Sequence, residues 1–160
     1  MSVDRDPVVP APLAAALGPG AEPAEGLTIL LLTVRPDGFP HVAMLSAGEV
    51  VTAGDRLLRL ALWPHASAGD NLAARGQATL AAVVDGVSWC LRVRAREEQE
   101  LETGLGGRLR CFACEIEAVT SDEAPYAVLE SGVTFRLKDP GAVLPRWRQV
   151  RAALAERSAA

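Results

Sequence analysis

The segment of residues 62–72, with the sequence LWPHASAGDNL, holds the residue types best suited to binding a ligand. His65, Ser67, Asp70 and Asn71 lie within it, and Ser67 begins a short helical pattern that ends before Gly76. The first N–H groups of a helix have no partner inside the helix, and the helix dipole favours an anion beside them. The segment therefore predicts an anion site at a helix start, with the Ser67 hydroxyl as a further donor.

A second interpretation of the same residues involves no ligand. Asp70 follows Ser67 by three positions, which is the spacing of a capping box, so the two side chains could simply cap their own helix. The Asp70 carboxylate would also repel a phosphate unless arginines compensate for its charge. The sequence leaves both interpretations open.

Other candidate chemistry is sparse. Cys111 and Cys114 have the spacing of a zinc or redox motif, but the surrounding pattern predicts a strand, in which residues three apart face opposite sides. The two thiols are therefore predicted to be small buried side chains. No Ser-His-Asp arrangement and no pair of acid-base carboxylates can be recognised, so the sequence predicts no hydrolytic activity.

Composition narrows the class of protein. The chain of 160 residues has a net charge of −4 and a pI of about 5.2, with 49% hydrophobic and 22% charged residues. This is typical of one folded domain and disfavours nucleic acid and anionic membranes as partners. Three cysteines give no disulfide framework, and residues 1–10 lack the pattern of a signal peptide. We therefore expect a cytoplasmic protein.

Strand and turn patterns dominate the middle of the chain. The run Leu27–Ser46 predicts a β-hairpin, because Pro36 and Gly38 would each disrupt a helix but fit a tight turn. Asp85-Gly86, between two alternating runs, predicts a second hairpin. Including these two hairpins, the predicted strands are 27–34, 39–46, 57–63, 77–84, 87–96 and 109–119.

The remaining segments give further predictions. Residues 1–10 are predicted to be a loose tail, 47–52 to extend the second strand past a bulge at Gly48, 97–107 to connect two strands through one helical turn, and 133–137 to form a last strand. Asp139-Pro140 predicts the start of a C-terminal helix, in which Pro145 separates or kinks the first turn.

These elements predict a mainly β fold. Short strands joined by tight turns indicate a closed or partly closed barrel of about six antiparallel strands of Greek-key type, with a few short helices and the C-terminal helix. A β-sandwich is the alternative. The predicted divisions are a tail and short helix over 1–26, the barrel over 27–137 and the C-terminal helix over 138–160.

Several of these motifs together resemble a known family. The strand ending in Thr33-Val34, the turn at Pro36-Asp37-Gly38, the segment 62–72 and the run 132–135 before a Trp-bearing helix occur in this order in the FMN-binding split-barrel family, the relatives of pyridoxamine 5′-phosphate oxidase. The resemblance spans roughly residues 27–154. It implies a homodimer that binds FMN in a cleft between subunits, with the phosphate at the helix start and the redox chemistry carried by the flavin.

The resemblance also implies which residues would line the cofactor. They are Met44, Leu45, Ser46, Leu62, Trp63, Pro64, His65, Ser67 and Asn71. No catalytic residue can be assigned.

One departure from the family pattern bears on the cofactor. Family members commonly carry Arg or Lys just after the hydroxyl residue, and this chain has Ala68 and Gly69 there, followed by Asp70. Compensation would have to come from Arg59 or from the arginines of one strand face, at 92, 94 and 96.

Two alternatives follow from this departure. One is a cofactor-free dimer that acts as a binding or stress-related module. The other is a pocket for a different flat ligand, a deazaflavin or haem, with His65 as the candidate axial ligand of a haem.

Overall fold

Glycine and aspartate at the predicted turns fold the middle of the chain back on itself. In the computed structural model, which describes residues 1–104 and 107–157, Gly38 has a φ of 88°, and Asp85 and Gly86 have φ values of 52° and 77°. These left-handed conformations belong to tight hairpin turns. Both predicted hairpins are confirmed by the strand pairing on either side of these turns.

Eight strands and three helices lie within the described ranges. The strands are β1 (Ser2–Arg5), β2 (Thr28–Val34), β3 (Pro40–Ser46), β4 (Val50–Thr52), β5 (Leu57–Leu62), β6 (Gln77–Val84), β7 (Val87–Thr103) and β8 (Gly107–Asp122). The helices are α1 (Ala11–Leu17), α2 (Ser67–Arg75) and α3 (Pro140–Glu156). The strands form one antiparallel sheet in the order β3-β2-β6-β7-β8-β5-β4, with β1 paired to β8. None of the described helices is both long and apolar enough to span a membrane.

The sheet curls into a half-barrel around an apolar interior, which confirms the predicted mainly β barrel. Alternate side chains of β2, β6 and β7 point inward and are almost fully buried, for example Leu31, Leu80 and Leu91. Leu13 of α1 and Leu72 of α2 join the same interior cluster. The two short helices therefore complete the barrel core that the sheet alone leaves open.

A second apolar cluster lies outside the sheet, under α3. Its members come from β4, β5, β7, β8 and α3: Val51, Ala61, Leu101, Leu109, Cys111, Val150 and Leu154. Because of this cluster, β8 buries side chains on both faces, with Phe112 inside the barrel and Cys111 beneath the helix. Of the three described helices, the one that packs on the outer face, α3, contacts β4, β5, β7 and β8.

Two predictions about the ends of the sheet are wrong. Residues 97–103 continue β7, where Glu98 pairs with Cys111 and Leu101 with Leu109, so the predicted connector is a long β7–β8 ladder. Residues 2–5 of the predicted loose tail form β1, and the Arg5 Nε donates to the Ser121 hydroxyl at 2.8 Å. In both places pairing with β8 outweighs a polar local sequence.

Three further expectations also need correction. Residues 47–49 form a turn, and β4 pairs with β5 instead of extending β3 past a bulge. Residues 133–137 form no strand; Phe135 instead makes an edge-to-face contact with Trp147, with ring centroids 6.3 Å apart. Asp139 is the N-cap of α3 as predicted, and its carboxylate accepts from the Ala142 N–H, but the first turn is not separate, because the helix continues through Pro145.

Candidate functional site

Helix α2 is held in place at both ends and in its middle. Ala68 and Leu72 enter the barrel core, and the Asn71 Nδ2 donates to the Thr33 hydroxyl of β2 at 3.0 Å. The helix ends at Gly76, whose φ of 65° confirms the predicted C-terminal glycine. Ser67 is left exposed at the first turn.

The capping-box interpretation of this first turn is wrong. The N-cap residue is Ala66, and no side chain caps the helix. The Asp70 Oδ1 instead accepts from the Arg110 Nη1 of β8 at 2.8 Å. The carboxylate that the sequence placed in one motif with Ser67 therefore pairs with β8 and does not cap the helix.

Arg110 forms the charged centre beside α2. Its Nε and Nη2 donate to the two carboxylate oxygens of Glu97 at 2.7 and 3.1 Å, and its Cζ lies 5.4 Å from the centroid of the Phe112 ring. The hydrogen bonds that Arg110 donates to Glu97 raise the pKa of Arg110 and lower the pKa of Glu97. The guanidinium is thus a fixed cation shared by two carboxylates.

Gly69 provides the space for this guanidinium. A Cβ atom on residue 69 would lie 2.8 Å from the Arg110 Nη1 and 3.2 Å from its Cζ, so any side chain there would displace the arginine. Positions 68 and 69 carry no basic side chain, and Arg110 of β8 therefore supplies the positive charge at this helix start. Its guanidinium lies beside the position that the Cβ atom of residue 69 would take. No pattern in the sequence indicates this contact, because it depends on the register that pairs Leu62 with Arg110.

A second group of residues surrounds the end of β3. The Ser46 N–H donates to the Glu49 Oε2 at 3.0 Å, and the Ser46 hydroxyl accepts from the Gly48 N–H at 3.2 Å. Glu49, Trp63 and Arg146 line one small void, and the Arg146 Cζ lies 5.1 Å from the centroid of the Trp63 ring. Burial raises the pKa of Glu49. Sequence reasoning singled out neither Glu49 nor Arg146.

The predicted cofactor residues occupy different environments. Trp63, Pro64, His65 and Ser67 are exposed on one continuous segment. Ser46 bonds to Glu49, which lines a small void together with Trp63. The side chains of Leu45 and Leu62 point into the barrel core, so a ligand outside the barrel could meet only their backbone. Met44 is exposed on the outer face of β3, and Asn71 is buried. As contacts to a cofactor, all nine stay predictions.

The arginines proposed as compensating cations lie elsewhere. Arg59 is only 1% exposed and donates to Glu98 at 3.1 Å and to the Arg157 carbonyl at 2.8 Å. Arg94 pairs with Glu117 at 2.6 Å. These contacts hold Arg59 under the end of α3 and Arg94 on the outer face of β7, and the cation beside α2 is Arg110.

The two central cysteines face opposite sides of β8, as predicted. Cys114 belongs to the interior cluster and Cys111 to the cluster under α3. Burial raises the pKa of Cys111 to about 11 and that of Cys114 to about 12. Both are therefore protonated at neutral pH and poorly nucleophilic. Among residues 1–104 and 107–157, no group of three or more His, Cys, Asp and Glu side chains is placed to hold a metal ion.

A groove of about 450 Å³ lies on the outer face of the sheet that α3 leaves uncovered. Its walls are Leu32, Thr33, Val34, Pro40, Gln77, Ala78, Thr79, Arg92, Val93, Arg94 and Glu117. None of the residues of the segment 62–72 lines it. The groove is therefore separate from the start of α2.

Comparison with known proteins identifies one relative of high coverage. The chain is 36% identical over 120 residues to a protein of Bacillus subtilis (strain 168) named "Uncharacterized protein YclD", and the match covers 75% of this chain and 77% of the relative. No family model matches the chain.

Solved structures share the fold at low sequence identity. A variant of HupZ from Group A Streptococcus has a TM-score of 0.52 at 12% identity, over 60% of this chain and 90% of that chain. A pyridoxamine 5′-phosphate oxidase-like protein from Lactobacillus delbrueckii has a TM-score of 0.49 at 18% identity, over 57% and 82% of the two chains.

Two further structures carry cofactor names. An F420 reductase has a TM-score of 0.49 at 18% identity, over 69% of this chain and 98% of that chain. An FMN-binding protein from Syntrophomonas wolfei has a TM-score of 0.45 at 16% identity, over 60% and 77% of the two chains. The chain thus belongs to the family of the Bacillus subtilis protein YclD.

Proposed function

We propose that this protein binds FMN at the start of α2, as a homodimer, and acts as a flavin-dependent oxidoreductase. The contact that supports the proposal best is the one between Arg110 and Gly69, because it places a guanidinium where the family pattern places a basic side chain. The Ser67 hydroxyl and the N–H groups of the first turn of α2 are the other donors available to a phosphate.

The ring of the flavin would lie against the exposed segment before α2. Trp63 is 49% exposed, and it offers an aromatic face next to Pro64 and the end of β3. A bound flavin accepts and returns electrons or a hydride, which no side chain of this segment can do. The contribution of the protein is to hold the phosphate, orient the ring and keep it beside Ser46 and Glu49.

Charge at the start of α2 sets the expected affinity. Arg110 contributes one positive charge, and Asp70 and Glu97 contribute one negative charge each, so the cluster is net negative before a phosphate arrives. Asp70 is the carboxylate nearer solvent, since its side chain is 76% exposed against 37% for Glu97. Binding therefore requires the phosphate to take the place of Asp70 on Arg110.

The same cluster favours one competing function, a cofactor-free binding module. Each N–H group that Arg110 directs at Asp70 and Glu97 is already satisfied by a carboxylate oxygen. In this case the arginine holds α2 against β7 and β8 and binds no ligand.

Titration with FMN and with riboflavin separates the two functions, because riboflavin has the same ring and lacks the phosphate. Quenching of flavin fluorescence measures the affinity. We expect Asp70→Asn to bind FMN more tightly than the wild type, Arg110→Met to bind it about tenfold more weakly, and neither change to alter binding of riboflavin.

Arg108→Met is the matched control. Arg108 lies on the same strand, is 71% exposed and pairs with Glu100 and Glu102, so its loss should leave FMN binding unchanged. If neither the wild type nor Asp70→Asn binds FMN, the cofactor-free module is the better description. Parallel titrations with a deazaflavin and with haem test the remaining ligands.

A further inference from the structure

The lining of the groove on the outer face of the sheet changes from apolar to positively charged from β2 to β7. One row of paired residues crosses three neighbouring strands, from Leu32 on β2 through Thr79 on β6 to Arg92 on β7. Neighbouring strands are about 4.8 Å apart, so this row is about 10 Å long. It begins with an apolar side chain, continues with a hydroxyl and ends with a guanidinium.

The cation at the end of this row is available to a ligand. Across residues 1–104 and 107–157, the side chain of Arg92 makes no hydrogen bond or ion pair, whereas its neighbour Arg94 is held by Glu117 at 2.6 Å. With those two charges cancelled, the groove carries one positive charge in a chain whose net charge is −4. Within the groove, an anion is therefore attracted to Arg92.

The rest of the wall limits the shape of that anion. Val34 and Pro40 continue the apolar side begun by Leu32, and Gln77 continues the polar side begun by Thr79. The volume of about 450 Å³ is within the range of small-molecule sites. A small molecule with an apolar body against β2 and β3 and a single anionic end on β7 would match both the apolar and the charged parts of this lining.

We propose that the groove binds a small organic carboxylate with an apolar body about 10 Å long, its anionic end on Arg92 and its body on Leu32 and Val34. The proposal is independent of the proposed function, because the segment 62–72 and Arg110 take no part in the groove.

The matched probes are 4-phenylbutyrate and 4-phenyl-1-butanol, which share a body and differ in the anionic end. Saturation-transfer NMR and calorimetry, without any flavin present, measure their binding to the full chain. We expect the wild type to bind the carboxylate, and to bind the alcohol about tenfold more weakly. Binding of the carboxylate should also weaken as salt is raised, because Arg92 is exposed.

Two variants and one control locate the binding. Arg92→Gln should weaken the carboxylate about tenfold and leave the alcohol unchanged, and Leu32→Asp should weaken both. Arg136→Gln removes an equal charge from an exposed arginine outside the groove and should bind both probes as the wild type does. Circular dichroism checks that each variant is folded.

Three outcomes would overturn the proposal. They are no binding of 4-phenylbutyrate to the wild type, equal binding by Arg92→Gln, and equal loss in Arg136→Gln. A change of molecular mass in Arg92→Gln by light scattering, with no change in probe affinity, would assign the groove to contact with a second copy of the chain instead.

Discussion

Arg151 joins α3 to two other parts of the chain. Its side chain is 3% exposed, and its guanidinium donates to the carbonyls of Ala47, Val50, Gly18 and Ala21, the last three at 2.9, 2.7 and 3.4 Å. Burial lowers its pKa, but an arginine remains charged at any physiological pH. One side chain thus ties α3 to the β3–β4 turn and to the end of α1.

Replacing this arginine should destabilise the fold strongly. Arg151→Met keeps the apolar stem and leaves buried carbonyls without donors, so we expect the free energy of unfolding to fall by about 2 to 4 kcal/mol. Arg148→Met is the control, because Arg148 is 53% exposed and pairs with Glu22 at the surface; there the loss should be below about 1 kcal/mol. Urea denaturation measures both, and equal losses would contradict the assigned role of Arg151.

Glu49 should make stability depend on pH. Burial raises its folded-state pKa above the ordinary value of 4.5, so the folded protein favours the protonated carboxyl. Its contribution to stability is then full below pH 4.5 and is lost as pH rises through the higher folded-state value. Above that value the half-buried carboxylate costs free energy.

Glu49→Gln removes this titration and keeps an oxygen that can accept from the Ser46 N–H. Measured by urea denaturation between about pH 4 and about pH 7, the wild type should lose stability relative to the variant as pH rises. Parallel curves for the two proteins would show that the carboxyl is not destabilised by burial.

At the scale of elements, the β3–β4 turn and α3 are fitted to each other through Gly48. A Cβ atom on residue 48 would lie 2.2 to 2.5 Å from the ring atoms of Trp147, which is itself 5% exposed. Because the indole is buried, a Cβ atom there would force the turn, the ring or the helix to shift. The turn therefore needs glycine for space and not for backbone conformation.

Gly48→Ala should consequently lower the free energy of unfolding, by about 1 to 3 kcal/mol, as expected for overpacking. Gly20→Ala is the matched control, because a Cβ atom on residue 20 meets nothing within 4 Å. Thermal and urea unfolding compare the two variants. A Gly48→Ala protein as stable as Gly20→Ala would mean that α3 is not seated on this turn.

Elements defined by local chemistry were predictable from the sequence. The hairpin turns at Gly38 and Asp85-Gly86, the glycine that ends α2 and the Asp139 cap of α3 each depend on residues within a few positions of one another. Residues 97–103 were not predictable in this way, since an acidic stretch becomes a strand only through its pairing with β8 and the packing of α3 on it.

In the candidate site too, residues that are close in sequence were predictable, and residues brought in by strand pairing were not. The segment 62–72 could be recognised because its members are contiguous, and it does place Ser67 at the exposed start of α2. Arg110, Glu97 and Glu49 reach their positions through strand register and a turn, and the sequence contains no pattern that brings them there. Arg110, the cation on which phosphate binding at α2 would depend, was therefore a residue that the sequence could not indicate.

At the scale of the whole molecule, the sheet is covered unequally. Helix α3 packs on the outer face of β4, β5, β7 and β8, whereas β3 is an edge strand whose outer face carries exposed apolar side chains. Val42 and Met44 of β3 are 54% and 68% exposed, and Phe39, which immediately precedes the strand, is 71% exposed. An apolar strip along an unpaired edge favours association or needs protection from it. We infer that this strip is the contact between two copies of the chain.

The masses of two variants test this inference. Light scattering on the wild type should give about twice the 16.8 kDa of one chain, and the double variant Val42→Asp, Met44→Asp should give 16.8 kDa. Its circular dichroism should not change, because both side chains are already exposed. Val8→Asp is the control, since Val8 is 40% exposed and lies before α1, away from β3.

The same variants connect the contact to the cofactor. If FMN lies between two subunits, the double variant should lose FMN affinity although Ser67 and Arg110 are untouched, whereas Val8→Asp should retain it. If the wild type has the mass of one chain, the strip is not a dimer contact, and FMN would have to bind to the exposed start of α2 alone. A monomeric double variant with unchanged FMN affinity would separate the two proposals, keeping the dimer and placing the flavin within one chain.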